Sequence, residues 1–252
     1  MLRNFLIVGT QRTGSTALVR ALTFHPEIAC GDEWTQHVPA HRKFAVTEQA
    51  LSGNFSTLSS GQRTRIERVM SPDTRWLGFK VLFRSSAKWL QHPRYAPALW
   101  LDRFDAYLRW LAAKPSIHVI HIFRQDPIDW LKSKYLADKS RAYAAGREYP
   151  EGMTIEIPLR EASRRLETKR WIDDRIAQLN RSNPYLRVAY EEFLQSDRKV
   201  VLKLMEFLQC DPEKLREFDY RKQRKQSKRS ARDYITNYDQ LTAMLGHRSP
   251  PD

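Results

Sequence analysis

The residues with the clearest chemical role lie near the start of the chain, in the segment FLIVGTQRTGSTALVRAL. An apolar run leads to Gly9, four residues follow, and Gly14 with Ser15 and Thr16 then opens a helical pattern. A strand that turns through glycines into a helix brings backbone N–H groups and the positive end of the helix dipole to one point. Gly14 also lets an anion approach the backbone without a Cβ in the way. The segment therefore predicts a phosphate-binding loop.

This loop differs from the nucleotide-triphosphatase pattern G-x-x-x-x-G-K-[ST]. Where that pattern has the lysine that reaches the β- and γ-phosphates, this chain has Ser15, and its cation stands earlier, at Arg12. The hydroxyls of Thr13, Ser15 and Thr16 add hydrogen-bond donors at the same place. A convincing magnesium-binding acidic residue at a strand end is missing as well. The pattern favours an anion bound without a metal ion, and a glycine turn without a ligand is the alternative.

A second basic group is predicted at the edge of the sheet. Arg124 directly follows the apolar run 117–123, and Ser133 lies on the helical pattern that comes next. Ligands of open α/β sheets bind at the carboxyl ends of the strands, and arginine binds phosphate through paired hydrogen bonds. The two residues therefore predict a second phosphate site. The alternatives are an ion pair of Arg124 with Asp126 and a neutral surface position for Ser133.

The elements that must position these residues alternate between strands and helices. Apolar, β-branched runs predict four buried strands, namely Phe5–Val8, Trp76–Phe83, Ile117–Phe123 and Leu186–Ala189. Helical spacing predicts five helices, namely Ser15–His25, Leu99–Ala113, Pro127–Ala145, Leu159–Asn180 and Lys199–Leu208. This alternation predicts one α/β domain, with a central parallel sheet flanked by helices.

Two flanking features complete the predicted layout. Asp126 precedes Pro127, which predicts an N-cap followed by proline in the first helical turn. Residues 35–75 are polar and show no clear period, so we expect an irregular insertion over the active face. A length of 252 residues suits a single domain of this kind.

Charge and composition narrow the classes of partner. The net charge of +14 favours an anionic partner, which includes nucleic acid, lipid headgroups at a membrane surface and a polyphosphorylated small molecule. Zinc-ligand spacing, RNA-binding motifs and a recognition helix are not evident, which argues against nucleic acid. The sequence shows no 18-residue apolar run and no signal peptide, so we expect a cytoplasmic protein. Cys30 and Cys210 are expected to be reduced and structural.

The loop Arg12-Thr13-Gly14-Ser15-Thr16 resembles the [KR]-[ST]-G-[ST]-[ST] loop of PAPS-dependent sulfotransferases. Further segments resemble pieces of that family in the family's order, and they are ALTFHPEIACGDEW, WLGFKVLF, HIFRQDPIDWLKSKYLA, VAYEEFLQSDRKVVLKLMEFL and SARDYITNYDQL. The first of these is similar to the bacterial carbohydrate-sulfotransferase branch. The resemblance implies a P-loop-type sulfotransferase fold, PAPS as donor, PAP as product, and a carbohydrate, glycolipid or other small molecule as acceptor.

The resemblance also implies roles for individual residues. The 5′-phosphosulfate is expected at residues 12–16, and the 3′-phosphate at Arg124 and Ser133. Arg12 and Lys80 are expected to act in catalysis, at the leaving phosphate and the sulfonate. The histidine that many members use as a base is replaced by Leu82, so Glu33 is the expected base. Nearby competitors for that role are Asp32, His25, His37 and His41.

The remaining implied roles concern the cofactor's adenine, its cover and the acceptor. The tryptophan that often stacks on adenine is replaced by Ala17, and Tyr190 is the candidate for that contact. The basic run 221–232 is either a solvated arm or part of a cofactor-covering segment, 221–245, with Lys225, Lys228 or Arg229 on the 3′-phosphate. Residues 35–75 and 138–158 are expected to form the acceptor pocket. A small-molecule kinase with a degenerate loop and a non-enzymatic nucleic-acid-binding protein are the alternative functions.

Overall fold

The sheet at the centre of the protein contains five parallel strands. The computed structural model describes residues 2–31, 43–53, 55, 60–83, 97–140, 149–216 and 229–246. Its strands are β1 (Arg3–Thr10), β2 (Ile28–Gly31), β3 (Trp76–Phe83), β4 (Ile117–Phe123) and β5 (Tyr185–Ala189). They are arranged in the order β2-β3-β1-β4-β5, and every neighbouring pair is parallel. The predicted α/β domain with a parallel sheet is confirmed.

Helices flank this sheet. Within the described residues they are α1 (Ser15–Leu22), α2 (Lys43–Leu51), α3 (Ser60–Val69), α4 (Pro97–Ala112), α5 (Pro127–Ser140), α6 (Leu159–Ala177), α7 (Tyr190–Gln195), α8 (Asp197–Phe207), α9 (Ala231–Tyr234) and α10 (Tyr238–Gly246). Short 3₁₀ turns follow α6 at Gln178–Arg181 and α8 at Pro212–Lys214. The predicted N-cap is confirmed, because Asp126 Oδ1 accepts hydrogen bonds from the N–H groups of Ile128 (2.8 Å) and Asp129 (2.9 Å).

Two predictions about the first third of the chain were wrong. The prediction of four strands missed β2, which is an edge strand of four residues and too short to stand out as an apolar run. Residues 35–75 were expected to be irregular, but they contain α2 and α3. Among their described side chains, Ala50, Leu51 and Ile66 lie in the core, and polar residues stand between these positions in the sequence.

Some helix ends also differ from the predicted ones. α1 ends at Leu22 and not at His25, and α6 passes at Ala177 into a 3₁₀ turn. α8 begins at Asp197, two residues before the predicted start. The described part of α5 ends at Ser140, and the predicted extension to residue 145 lies outside the described residues.

The core lies on both faces of the sheet. Leu6 and Val8 of β1 face α2, α3, α4 and α6, while Phe5 and Ile7 face α1 and α8. This alternation follows from the two-residue period of a strand. A third cluster joins α5 and α6 to the C-terminal segment through Trp130, Leu166, Tyr234 and Leu241. Cys30 and Cys210 are both buried, and neither forms a disulfide, which agrees with the predicted reduced thiols.

The register of the sheet brings three strand ends together. Thr10 at the end of β1 pairs with Phe83 at the end of β3, and Gly9 pairs with Ile122 of β4. The segments that leave β1, β3 and β4 therefore start side by side at the carboxyl end of the sheet. Among the residues described, no helix combines the length and the apolar character needed to cross a bilayer.

Candidate active site

The loop after β1 has an unusual backbone. Arg12 and Gly14 both adopt positive φ angles, of 69° and 79°. Gly14 is the N-cap of α1 and supplies no side-chain hydrogen bond to the first turn. The first N–H groups of a helix have no intrahelical acceptor, and alternating left-handed residues form concave anion-binding backbone. A positive φ at a non-glycine residue is uncommon, and among the described residues Arg12 and Gln209 have one. Backbone of the kind found in this loop can bind an anion.

Close packing explains both glycines of this loop. A Cβ on Gly9 would lie 2.2 Å from the carbonyl oxygen of Ile122 on β4. A Cβ on Gly14 would lie 2.2 Å from Cδ2 of the Tyr190 ring. The loop therefore packs closely against β4 at Gly9 and against the first residue of α7 at Gly14.

The loop hydroxyls have distinct partners. Thr13 Oγ1 donates to the carbonyl of Thr10 at 2.9 Å and is fully buried, so it braces the turn. Lys80 reaches across from β3, and its Nζ donates to Thr16 Oγ1 at 2.8 Å. Ser15 is buried at the start of α1. Lys80, which the sequence assigned to catalysis, thus lies against the first turn of α1.

Arg124 lies beside the loop, as its place at the end of β4 predicted. Its Nη1 donates to the carbonyl of Arg12 at 3.1 Å, and its guanidinium carbon lies 4.5 Å from the centre of the Tyr190 ring. Its Nη2 pairs with the carboxylate of Asp129, so the alternative pairing with Asp126 is wrong. Arg124 is only 4% exposed, and its Nε is buried with no hydrogen-bond partner.

The side chain of Arg12 links the loop to α5. Its Nε donates to Ser133 Oγ at 3.1 Å, and its Nη2 donates to the hydroxyl of Tyr149 at 3.1 Å. The structure therefore brings Arg12, Arg124 and Ser133 together in one place. Tyr149 was not found from the sequence, because it follows no motif and is 137 residues from its partner. Burial raises the pKa of the Tyr149 hydroxyl.

Two buried lysines flank Ser133 and were also missed. Lys132 pairs with Asp129, and Lys134 Nζ lies 3.4 Å from Gln11 Oε1 and 3.5 Å from Asp138. Burial lowers the pKa of Lys134, although Asp138 opposes that effect. Consecutive polar residues on a helix are typical of a solvent-exposed face, so the burial of these lysines cannot be predicted from their spacing.

α7 holds the turn that follows β4. The carboxylate of Glu191 accepts from the N–H groups of Gln125 (3.0 Å) and Asp126 (3.2 Å). The neighbouring Tyr190 packs its ring against Gly14 and the Arg124 guanidinium. Tyr190 thus belongs to the site, and its predicted contact with adenine stays a prediction.

Arg229 and His25 have partners outside the loop. Arg229 is exposed, donates to the carbonyl of Met153 at 3.3 Å and lies over the Tyr234 ring. His25 is buried at the amino end of the sheet, before β2, where its Nε2 meets the carbonyl of Asp211 at 2.8 Å. That position removes it from the bases available at the loop. Outside the described residues lie Asp32, Glu33, His37, His41, Lys225 and Lys228.

The sequence matches a known protein family over most of its length. A model of the sulfotransferase family matches residues 4–214. The chain belongs to this family. The matched segment contains the loop, Lys80, Arg124, Ser133 and Tyr190. A search among curated proteins found no match.

Solved sulfotransferase structures are also similar to this chain. A sulfotransferase from Alicyclobacillus acidocaldarius is 18% identical, with 87% of each chain covered and a TM-score of 0.41. The sulfotransferase domain of the Synechococcus PCC 7002 olefin synthase is 17% identical, covering 100% of this chain and 90% of that one, with a TM-score of 0.43. Retinol dehydratase in complex with androsterone and the inactive cofactor PAP is 14% identical, covering 99% and 84%, with a TM-score of 0.44.

Proposed function

We propose that this sulfotransferase takes its sulfuryl group from PAPS and transfers it to a hydroxyl, or less readily an amine, of an acceptor molecule. In this proposal the loop at residues 12–16 holds the 5′-phosphosulfate, and Arg124 with Ser133 holds the 3′-phosphate. One observation carries the proposal: the Arg124 guanidinium donates to the loop carbonyl of Arg12, and the Arg12 guanidinium donates to Ser133. Two groups that the sequence assigns to two phosphates of one nucleotide are therefore neighbours.

The residues of the site fit such a ligand. Arg124 Nε is a buried donor without a protein acceptor, and buried donors of this kind are normally satisfied. Arg124 and Lys132 share the carboxylate of Asp129, Lys134 and Arg165 share that of Asp138, and Arg165 also pairs with Glu161. This concentration of buried cations near the loop favours a ligand with several negative charges. Both phosphate ends of PAPS carry such charge.

The chain's own groups support the chemistry of sulfuryl transfer. PAPS, when bound, supplies the sulfuryl group on a phosphate leaving group. Arg12 and the N-terminus of α1 stabilise negative charge that develops on that phosphate, and Lys80 stabilises the sulfonate oxygens. Glu33 accepts the proton of the acceptor hydroxyl in this proposal, as a carboxylate does once burial raises its pKa. The reaction proposed needs no metal ion.

The acceptor and the cofactor cover follow from the resemblance to the bacterial carbohydrate branch. We assign a carbohydrate, a glycolipid or another small molecule as acceptor, with residues 35–75 and 138–158 forming its pocket. Residues 221–245 are assigned to the cover of the cofactor. The contacts of Tyr234 support this last assignment, since its ring lies 5.9 Å from Lys132 Nζ and packs edge-on to Tyr149.

The test is calorimetric titration of the full chain with PAP, followed by a screen of acceptors with labelled PAPS. We expect saturable binding of one PAP per chain, weaker binding of ATP with magnesium, and PAP release in the presence of an accepted sugar. Failure to bind PAP overturns the proposal. Tight binding of ATP that requires magnesium would instead favour a kinase, and affinity for nucleic acid that falls steeply with salt would favour a nucleic-acid-binding protein.

A further inference from the structure

The turn after β4 is held by two charged side chains, Lys169 of α6 and Glu191 of α7, and neither side chain is among the proposed ligand contacts. Lys169 of α6 donates from Nζ to the carbonyl of Arg124 at 3.0 Å. Glu191 of α7 accepts from the N–H groups of Gln125 and Asp126. The ladder with β5 ends at Phe123, so these side chains take over where the strand's own hydrogen bonds stop.

Stability is a weak explanation for the lysine. Lys169 is 7% exposed and pairs with the buried Asp173, with Nζ to Oδ2 at 2.6 Å. A buried ion pair contributes little net stability, because desolvation offsets the attraction between the charges. The second partner of Lys169 is more informative, since it is the backbone carbonyl of Arg124 at the end of β4.

The same lysine is coupled to the phosphate loop. Its ammonium lies 5.9 Å from the centre of the Trp130 ring, and the Trp130 indole N–H donates to the carbonyl of Gln11 at 2.9 Å. A buried group with fixed partners holds backbone more precisely than a solvent-exposed one. Lys169 and Trp130 therefore fix the carbonyls of Arg124 and Gln11 relative to each other.

We propose that Lys169 and Glu191 are positioning residues for phosphate recognition: they fix the backbone of residues 124–126 so that the Arg124 guanidinium faces the loop. This inference rests on the proposed function, in which Arg124 binds the 3′-phosphate of the cofactor. Neither residue touches the ligand. Loss of either side chain lowers the selectivity for a nucleotide with a 3′-phosphate. The affinity of the loop at residues 12–16 for the 5′-phosphate stays unchanged.

The experiment measures the affinities of PAP and of 5′-AMP, which lacks the 3′-phosphate, by titration calorimetry on the full chain. In Glu191→Ala, PAP affinity is expected to fall about tenfold while 5′-AMP affinity stays within about twofold. Glu191→Gln keeps an acceptor oxygen and is expected to restore part of the selectivity. The matched control is Glu192→Ala, which removes the adjacent exposed carboxylate.

Lys169 is tested in a double variant that also removes its buried partner, Asp173. The double variant Lys169→Met/Asp173→Leu is expected to lose the same PAP selectivity, and Arg170→Met is its control on the exposed face of α6. If the double variant does not fold, the Glu191 series decides. Equal losses for both nucleotides, or no loss for either, overturn the inference. A wild-type chain that binds PAP no better than 5′-AMP overturns the 3′-phosphate assignment itself, and this inference with it.

Discussion

Buried polar clusters occur at both ends of the sheet, and they differ in how completely the protein satisfies them. At the amino end, His25 accepts from the N–H of Glu27 at Nδ1 (3.2 Å), and its Nε2 meets the carbonyl of Asp211. The Glu27 carboxylate pairs with Lys214 at 2.8 Å and Arg75 at 3.4 Å. At the carboxyl end, the Arg124 guanidinium keeps a buried Nε donor that has no hydrogen-bond partner.

This difference separates a structural cluster from a binding site. The donor atoms of His25, Glu27 and Cys210 lie within 4.8 Å of one another, which is close enough to suggest metal ligation. Yet both imidazole nitrogens and both carboxylate oxygens of that cluster already have protein partners. Buried polar groups whose hydrogen bonds are all made are typical of a structural cluster, whereas a buried donor without an acceptor is typical of a site that takes a ligand.

The largest effect is expected from Gly14→Ala. The substitution places a Cβ against the Tyr190 ring at a φ of 79°, so PAP binding should fall below detection in a calorimetric titration. Gly53→Ala is the matched control, because Gly53 has a φ of 74° but nothing within 4 Å of the new Cβ. The control should lose about 1–2 kcal/mol of unfolding free energy and keep its PAP affinity. Equal binding in both variants would contradict the role of the loop.

Lys80→Met is expected to lower the turnover of PAPS about 100-fold in an assay of PAP formation, since it removes a charge aimed at the first turn of α1. PAP affinity should change far less, because the effect belongs to the transition state. Lys114→Met removes an exposed lysine that pairs with Glu48 and should leave turnover unchanged. A Lys80 variant that loses affinity and turnover equally would place the lysine in binding.

Arg124→Met tests the carboxyl-end cluster against its amino-end counterpart. Losing charge-assisted hydrogen bonds to a phosphate should weaken PAP binding roughly 30-fold in the same titration. Arg75→Met removes an arginine that is 60% exposed and should leave PAP affinity unchanged. If PAP affinity fell equally in both variants, the overall positive charge of the protein, and not the site at Arg124, would account for PAP binding.

The smallest effect is expected from Glu27→Gln, and it concerns stability. The hydrogen bond from Lys214 is the main cause that holds the pKa of Glu27 below its usual 4.5. A carboxyl whose pKa is lower in the folded state than in the unfolded state stabilises the fold at pH values above its unfolded pKa. This stabilisation is lost as the pH falls through the folded pKa. Melting of the variant should therefore occur roughly 2–4 °C lower at pH 7, with the difference vanishing in acid. PAP affinity should not change.

The sequence predicted those parts of the fold that local patterns encode. The bounds of β3 and β4 were predicted to the residue, because both are long apolar runs with clear ends. The short strand β2 and the mostly polar α3 escaped, since their place is decided by packing against other elements. Tertiary context overrides local preference in such segments.

The site was predictable to a similar degree. Glycine spacing located the loop, and the strand end located Arg124, which the structure places in contact with it. The contacts of Tyr149, Lys169 and Glu191 join distant parts of the chain, and no spacing encodes them. The roles of Arg12, Lys80 and Ser133 in binding and catalysis stay predictions, and that of Glu33 lies outside the described residues.

The C-terminal segment, residues 229–246, packs against the rest of the domain. Ile155 and Ile235 form a parallel bridge, and the Asn237 side chain exchanges hydrogen bonds with the backbone of Ile157 at 3.0 and 2.8 Å. Tyr234 and Leu241 then complete the apolar cluster under Trp130. A fragment trimmed to the residues that match the family, 4–214, would expose that cluster to water and should aggregate when expressed. Expression designs should retain the chain through residue 246.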